Sequence, residues 1–268
     1  MADVIGQTAW FGWEGASSIA IGWGGQPGEI LALLAGTAFV AGLSRGFSGF
    51  GAALIFIPVA SAAVGPLLAA PILMVIDWFG SLPILPWAWR HAERGTSLVL
   101  ALGALLGVPV GLLVLTGVDP VALRWGISLT ILGLVVLLAS GWRYGGRPHW
   151  VVTVAVGSVS GFLNGAAQIG GPPVVAYLLG RAAASAQDLR ANIVLYFAYA
   201  SVWSALLFFA TGLLGMRVVM LSLVIGPGYV AGTILGMRMF GLASQETFRR
   251  ICYVLITAAA IIGLPLFR

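Results

Sequence analysis

A glycine-spaced motif occurs twice in this chain, 119 residues apart, each time inside a long apolar stretch. The first copy reads Gly42-Leu-Ser-Arg-Gly46-Phe-Ser-Gly49-Phe-Gly51, the second Gly161-Phe-Leu-Asn-Gly165-Ala-Ala-Gln-Ile-Gly170-Gly171-Pro172-Pro173. Gly42 matches Gly161, Gly46 matches Gly165, and Gly51 matches Gly170. Pro172 and Pro173 end any continuous helix through the second copy. Ser44, Arg45, Ser48, Asn164 and Gln168 are interleaved where lipid would reject them. Unwound backbone at membrane depth is tolerated only where protein or a wet cavity covers it. A broken-helix element repeated in two halves of a membrane protein therefore points to a transporter's binding site. A plainer reading stands beside it: glycines four apart let membrane helices approach closely.

The setting is a bilayer. The chain is 60% hydrophobic and 8% charged, against about 25% charged in a soluble domain, and its mean hydropathy is +1.05. All thirteen basic residues are arginine, which excludes a lysine Schiff base or lysine general base. The single cysteine, Cys252, excludes an internal disulfide and a cysteine metal cluster. Neither histidine has metal-ligand company at useful spacing. There is no GxxxxGK[ST] loop, HExxH motif or Ser/Lys pair. The expectation is a protein that is not an enzyme and uses no metal or cofactor. The net charge of +5 sits mostly at segment ends, where it sets topology and is not a nucleic-acid surface. Residues 1–28 carry Trp10, Trp13 and Trp23 with only acidic charges, Asp3 and Glu14. They read as an extramembrane, interfacial segment without a signal peptide's basic start.

Ten apolar helical segments are expected, at 29–45, 50–64, 66–89, 96–117, 121–142, 150–166, 171–184, 189–213, 216–240 and 249–267. The two that follow the motifs are short, about 22 Å and 21 Å. If all ten cross, Arg45, Arg90, Arg94, Arg143, Arg147, Arg181, Arg190, Arg238, Arg249 and Arg250 share one side, against Arg124, Arg217 and Arg268. The positive-inside rule favours that arrangement, with both chain termini outside the cytoplasm. Eight spans with two re-entrant segments is the alternative.

The register extends outward from the glycines. Gly107 matches Gly226. After six inserted residues, Asp119-Pro-Val-Ala-Leu-Arg124 aligns with Ser244-Gln-Glu-Thr-Phe-Arg249. Asp119 and Ser244 are both N-cap residues before an apolar run. Each half thus holds five segments, and an odd number of spans turns the second copy upside down. The expected fold is an all-α polytopic membrane protein of two inverted-topology repeats, 29–142 and 150–268.

At the two motif blocks the chain resembles the TauE/SafE-type sulfite exporter family, also called TSUP. The resemblance rests on Gly-Phe-Ser-Gly-Phe-Gly at 46–51 with Pro58 following, and on Gly161 to Pro173. It departs at Gly51-Ala52-Ala53 and Gly170-Gly171-Pro172, where relatives often carry three glycines and a later proline. The resemblance implies transport of sulfur-containing oxyanions or organosulfonates, commonly export, in the bacterial inner membrane.

A dehydrated oxyanion needs replacement donors. Glycine turns leading into helix N-termini supply free N–H groups and a positive dipole end. The expected anion cradle is therefore residues 46–51 and 165–171, with Gly46, Ser48, Gly49, Gly51, Gly165, Gln168, Gly170 and Gly171, joined by Asn164 and Arg45. Arg45 has three open roles: binding the anion, reaching the cytoplasmic interface, or pairing with a carboxylate. Asp77 is the only acid well inside an apolar segment; it carries a coupling proton or pairs with Arg45. Its repeat mate is Tyr196, and Tyr196, Asn192 and Ser201 are lining candidates. The charged groups Arg90, His91, Glu93, Arg94 and Arg143, Arg147, His149 read as a solvated cytoplasmic rim. Pro83, Pro86, Pro109 and Pro227 are kink or hinge positions. The expected activity is secondary active transport of a small anion by alternating access, with the bilayer and a coupling proton or cation as partners. A passive anion channel, or a permease for another small organic anion, is the alternative. The oligomeric state stays open.

Overall fold

The computed structural model describes residues 27–142, 144–145, 149–180, 185–240 and 245–266. The tryptophan-anchored N-terminal segment, the Ser244 cap, and Arg143, Arg147, Arg181 and Arg268 lie outside the described residues. Among these residues all regular structure is α-helix: α1 (Pro27–Ser48), α2 (Ala52–Val64), α3 (Pro66–Ser81), α4 (Leu85–His91), α5 (Arg94–Gly117), α6 (Pro120–Ala139), α7 (Trp150–Ala167), α8 (Gly171–Leu179), α9 (Ala186–Ala210), α10 (Met216–Met239) and α11 (Gln245–Gly263).

Local chemistry accounts for several boundaries. Asp119 caps α6 by accepting from the N–H groups of Val121 and Ala122, both at 3.0 Å. Ser185 and Asp188 form a reciprocal capping box at the start of α9. The turn between α1 and α2 uses Gly49 and Gly51 at φ 81° and 95°, a left-handed backbone that side chains with a Cβ rarely adopt.

One expected segment is divided. Residues 66–89 form α3 and α4, bent by 72°. Pro83 and Pro86 cause the break, because each lacks an N–H and its ring collides with the preceding turn. The corresponding stretch of the second half has no proline, and α9 runs unbroken through 25 residues. The second short segment also ends early, at Leu179. At 13 and nine residues, α2 and α8 are about 20 Å and 14 Å long, less than the roughly 30 Å hydrocarbon core. Among the described residues six helices are long and apolar enough to cross a membrane, or seven if α3 and α4 count as one broken span.

The two halves are interlocked. The most extensive packing runs between α1 and α10 and between α5 and α7. These are corresponding pairs: the first helix of each repeat lies against the fourth of the other. Glycine makes the approach possible. A Cβ on Gly42 or Gly46 would overlap backbone at Tyr229 or Thr233, and one on Gly161 or Gly165 would overlap backbone at Ala104 or Val108. Gly232 and Gly236 of α10, and Gly103, Gly107 and Gly111 of α5, make the reciprocal contacts. The plainer packing reading therefore holds for the first two glycines of each motif.

Candidate anion site

Two cavities meet at Phe50 and Gly51, which line both. The inner one spans about 520 Å³ including its mouth. The wide one spans about 1080 Å³ on the same basis.

The inner cavity is built from the ends of broken helices. Gly51, Ala52, Ala53 and Leu54 bring the N-terminus of α2 to its wall, and Gly171 and Pro172 bring that of α8. No side chain caps either end, so the first-turn N–H groups have no side-chain acceptor. The two ends are unequal. The first turn of α2 keeps N–H groups at Ala52, Ala53 and Leu54, whereas Pro172 and Pro173 remove two from α8. Asn164 and Gln168 stand at the C-terminus of α7, Ser201 and Phe197 on α9, and Leu73, Met74 and Asp77 on α3. Gln168 takes a left-handed conformation at φ 60° and donates from Nε2 to the Asn164 carbonyl at 3.1 Å. Asn164 donates to Ser204 Oγ at 3.2 Å.

Charge enters through Arg45, whose side chain is buried. Its Nε lies 3.0 Å from Asp77 Oδ1, while Asp77 keeps about 24% of its side chain exposed. The guanidinium also donates to the Gly49 carbonyl at 2.6 Å and to Ser81 Oγ at 3.1 Å. It stands over the Phe197 ring, 5.0 Å from the centroid. Tyr229 donates its hydroxyl proton to Asp77 from α10. Of the roles open to Arg45 and Asp77, mutual pairing is present, and both side chains still reach the cavity wall.

The remaining expected residues are distributed differently. Gly46 and Gly165 face neighbouring helices. Ser48 lines the wide cavity and donates to the Ser44 and Phe50 carbonyls, 2.8 Å each. Gly49 lies against Arg190. Gly170 is walled by Ser160, which donates to its carbonyl and accepts from Tyr196 at 2.7 Å. Asn192 accepts from the Glu93 N–H at 2.7 Å and so ties α9 to the start of α5. Phe50 and Phe197 were not singled out from sequence. Phe50 had a signal, since it stands between the two positive-φ glycines. Phe197 had only its neighbour: one residue turns a helix by about 100°, so Tyr196 points to Ser160 while Phe197 meets the cavity. Among the described residues no group of His, Cys, Asp and Glu is placed to hold a metal ion.

Neither curated proteins nor solved structures gave a match to this chain. The family model described as sulfite exporter TauE/SafE matches residues 34–262, which span both motifs and both cavities. The chain therefore belongs to the TauE/SafE sulfite exporter family, a family of multi-pass membrane transporters of sulfur anions.

Proposed function

We propose that the protein exports a sulfur oxyanion or small organosulfonate by alternating access, with the anion held in the inner cavity. The observation that carries this reading is the convergence of the uncapped α2 N-terminus, Arg45, Asn164 and Gln168 on one space beside Asp77. The N–H groups and the guanidinium replace the anion's lost hydration. Phe50, Phe197, Leu73 and Met74 exclude competing water.

Asp77 sets the condition for binding. As a carboxylate it occupies Arg45 and repels an anion. Taking up one proton makes Asp77 neutral, frees the arginine charge and lets the anion bind, so proton and anion occupy the site together. A divalent anion carried with one proton moves one net negative charge, whose outward movement the membrane potential, negative inside, favours by about 2.3 kcal/mol per 100 mV; a monovalent anion carried with one proton moves none and follows its own gradient.

Access follows from a departure from repeat symmetry. The wide cavity leads from the inner one toward the end where Leu138, Trp142, Leu179, Arg190 and Phe240 gather. The repeat mates of its walls are placed differently: Val175, Cys252 and Ile256 correspond to Phe56, Ile127 and Ile131, which line neither cavity, and Ile193 corresponds to Met74, which lines the inner one. α11 lies along α2, whereas the corresponding α6 and α8 barely touch. This is the conformation open to the arginine-rich, cytoplasmic end. Exchange of the two packings opens the other.

The test is flux in proteoliposomes carrying sulfite, sulfate, thiosulfate, taurine or a carboxylate, with and without an imposed pH gradient. Sulfur-anion flux that responds to the gradient in the parent, and no longer does so in Asp77→Asn, is the expected result. Unaltered coupling in that variant removes Asp77 from the mechanism. Concentrative transport separates this reading from a passive channel.

A further inference from the structure

Arg190 stands apart from the other arginines near its end of the molecule. It lies one turn into α9 and is only 6% exposed. Among the described residues no carboxylate pairs with it. Its one described side-chain hydrogen bond is donated to the Gly46 carbonyl, in the last turn of α1. Its Nε has no partner. A guanidinium has five N–H donors, so most of its capacity is unused. Phe240 and Trp87 face it, their centroids 4.3 Å and 5.3 Å from Cζ. These rings orient the cation without neutralising it. A buried, unpaired charge is costly and is kept where something compensates it.

The surroundings state what that is. Arg190 lines the wide cavity, whose other walls are mostly apolar, among them Leu138, Val175, Leu179, Ile193 and Ile256. One cation in an otherwise hydrocarbon-walled space matches a ligand with an anionic head and a short apolar body. Its repeat mate is Pro71, so the feature belongs to one side only.

We propose that the wide cavity is a second, outer anion site, in which Arg190 holds the oxygens of an organic oxyanion whose hydrocarbon part rests on the apolar wall. This rests on the inner-site reading for its role: the outer site collects the anion, which passes Phe50 to reach Arg45. The two sites then differ in preference. The inner one accepts a bare inorganic oxyanion, and the outer one selects for an apolar tail.

Calorimetric titration of the purified protein with sulfite, methanesulfonate, butanesulfonate and hexanesulfonate tests the proposal. In the parent, affinity rises about fourfold for each methylene added until the cavity is filled. Arg190→Gln weakens butanesulfonate binding at least tenfold and leaves sulfite within about twofold, whereas Arg45→Gln abolishes sulfite binding. Arg190→Lys keeps the charge and recovers part of the loss; a purely structural cap on α1 would instead weaken sulfite and butanesulfonate alike in Arg190→Gln. Leu179→Trp fills the cavity from a half-open position and gives the same selective loss should Arg190→Gln fold poorly. Equal loss of sulfite and butanesulfonate in that variant, or no loss of either, overturns the outer site. Sulfite binding that survives Arg45→Gln overturns the inner-site reading and leaves the outer one standing. A third arm adds phosphatidylglycerol: displacement of butanesulfonate by this lipid, with less lipid retained by Arg190→Gln, assigns the cavity to a lipid headgroup and overturns its role in collecting the anion.

Discussion

Arg45 and Asp77 divide their strength between holding helices together and serving the cavity. The pair joins α1 to α3, and Tyr229 ties it to α10. Removing one partner of such a pair leaves an uncompensated charge. Arg45→Leu is expected to destabilise the protein by about 3 kcal/mol. Arg45→Leu with Asp77→Leu regains most of that and still moves no anion. Thermal unfolding in detergent, set beside proteoliposome flux, checks both. Gly171 offers a cleaner probe of the cavity: a Cβ there would meet Phe50 and Phe197 at 3.4 Å to 3.7 Å, with no backbone clash. Gly171→Ala should fold normally and weaken sulfite binding several-fold by titration. Both charges were legible as anomalies, because each is alone in an apolar segment. Their partnership stood as one of several open roles, and only the fold selects it, because 32 residues and a glycine turn separate them. Arg190 was read as one of a row of topology arginines, since nothing in its neighbours reveals that its head lies inside.

Helices pack across the two halves through bare backbone. Most glycines on the α1–α10 and α5–α7 seams admit a carbonyl of the partner where a methyl would stand. Gly46→Ala is expected to cost about 3 kcal/mol or more. Gly36→Ala, on the same helix with nothing within 4 Å, should gain about 0.5–1 kcal/mol from reduced backbone freedom. Unfolding midpoints of the two variants in one detergent decide the matter. The broken helices show what spacing can and cannot tell. Glycines at positive φ marked the α1–α2 turn correctly, because backbone sterics are local. The identical spacing of Gly42 and Gly46 signals tight packing and a broken helix equally well, and only the partner helix separates them. Pro83 and Pro86 were read as kinks; the 72° bend follows from two prolines acting within one turn.

At the scale of the whole molecule, the α1–α10 and α5–α7 packings join the two halves, and we propose a single open end. Ser48 lines the wide cavity, and its repeat mate Ala167 is buried in a hydrophobic cluster. In a Cys252→Ser background, Ser48→Cys should react with a membrane-impermeant thiol reagent applied from the arginine-rich side. Its repeat mate, Ala167→Cys, should resist the reagent from either side until a transported anion shifts the conformation. Labelling rates in right-side-out and inverted vesicles read this directly, and equal protection of the two positions contradicts an open end. Membrane residence, the order of helical elements, their repetition and the glycine turns all follow from the sequence alone, because hydropathy and backbone sterics act over a few residues. Tertiary structure decided which charge is paired, which arginine is buried without a carboxylate among the described residues, and which residues line the two cavities. Those outcomes depend on helices meeting over separations at which no local pattern carries information.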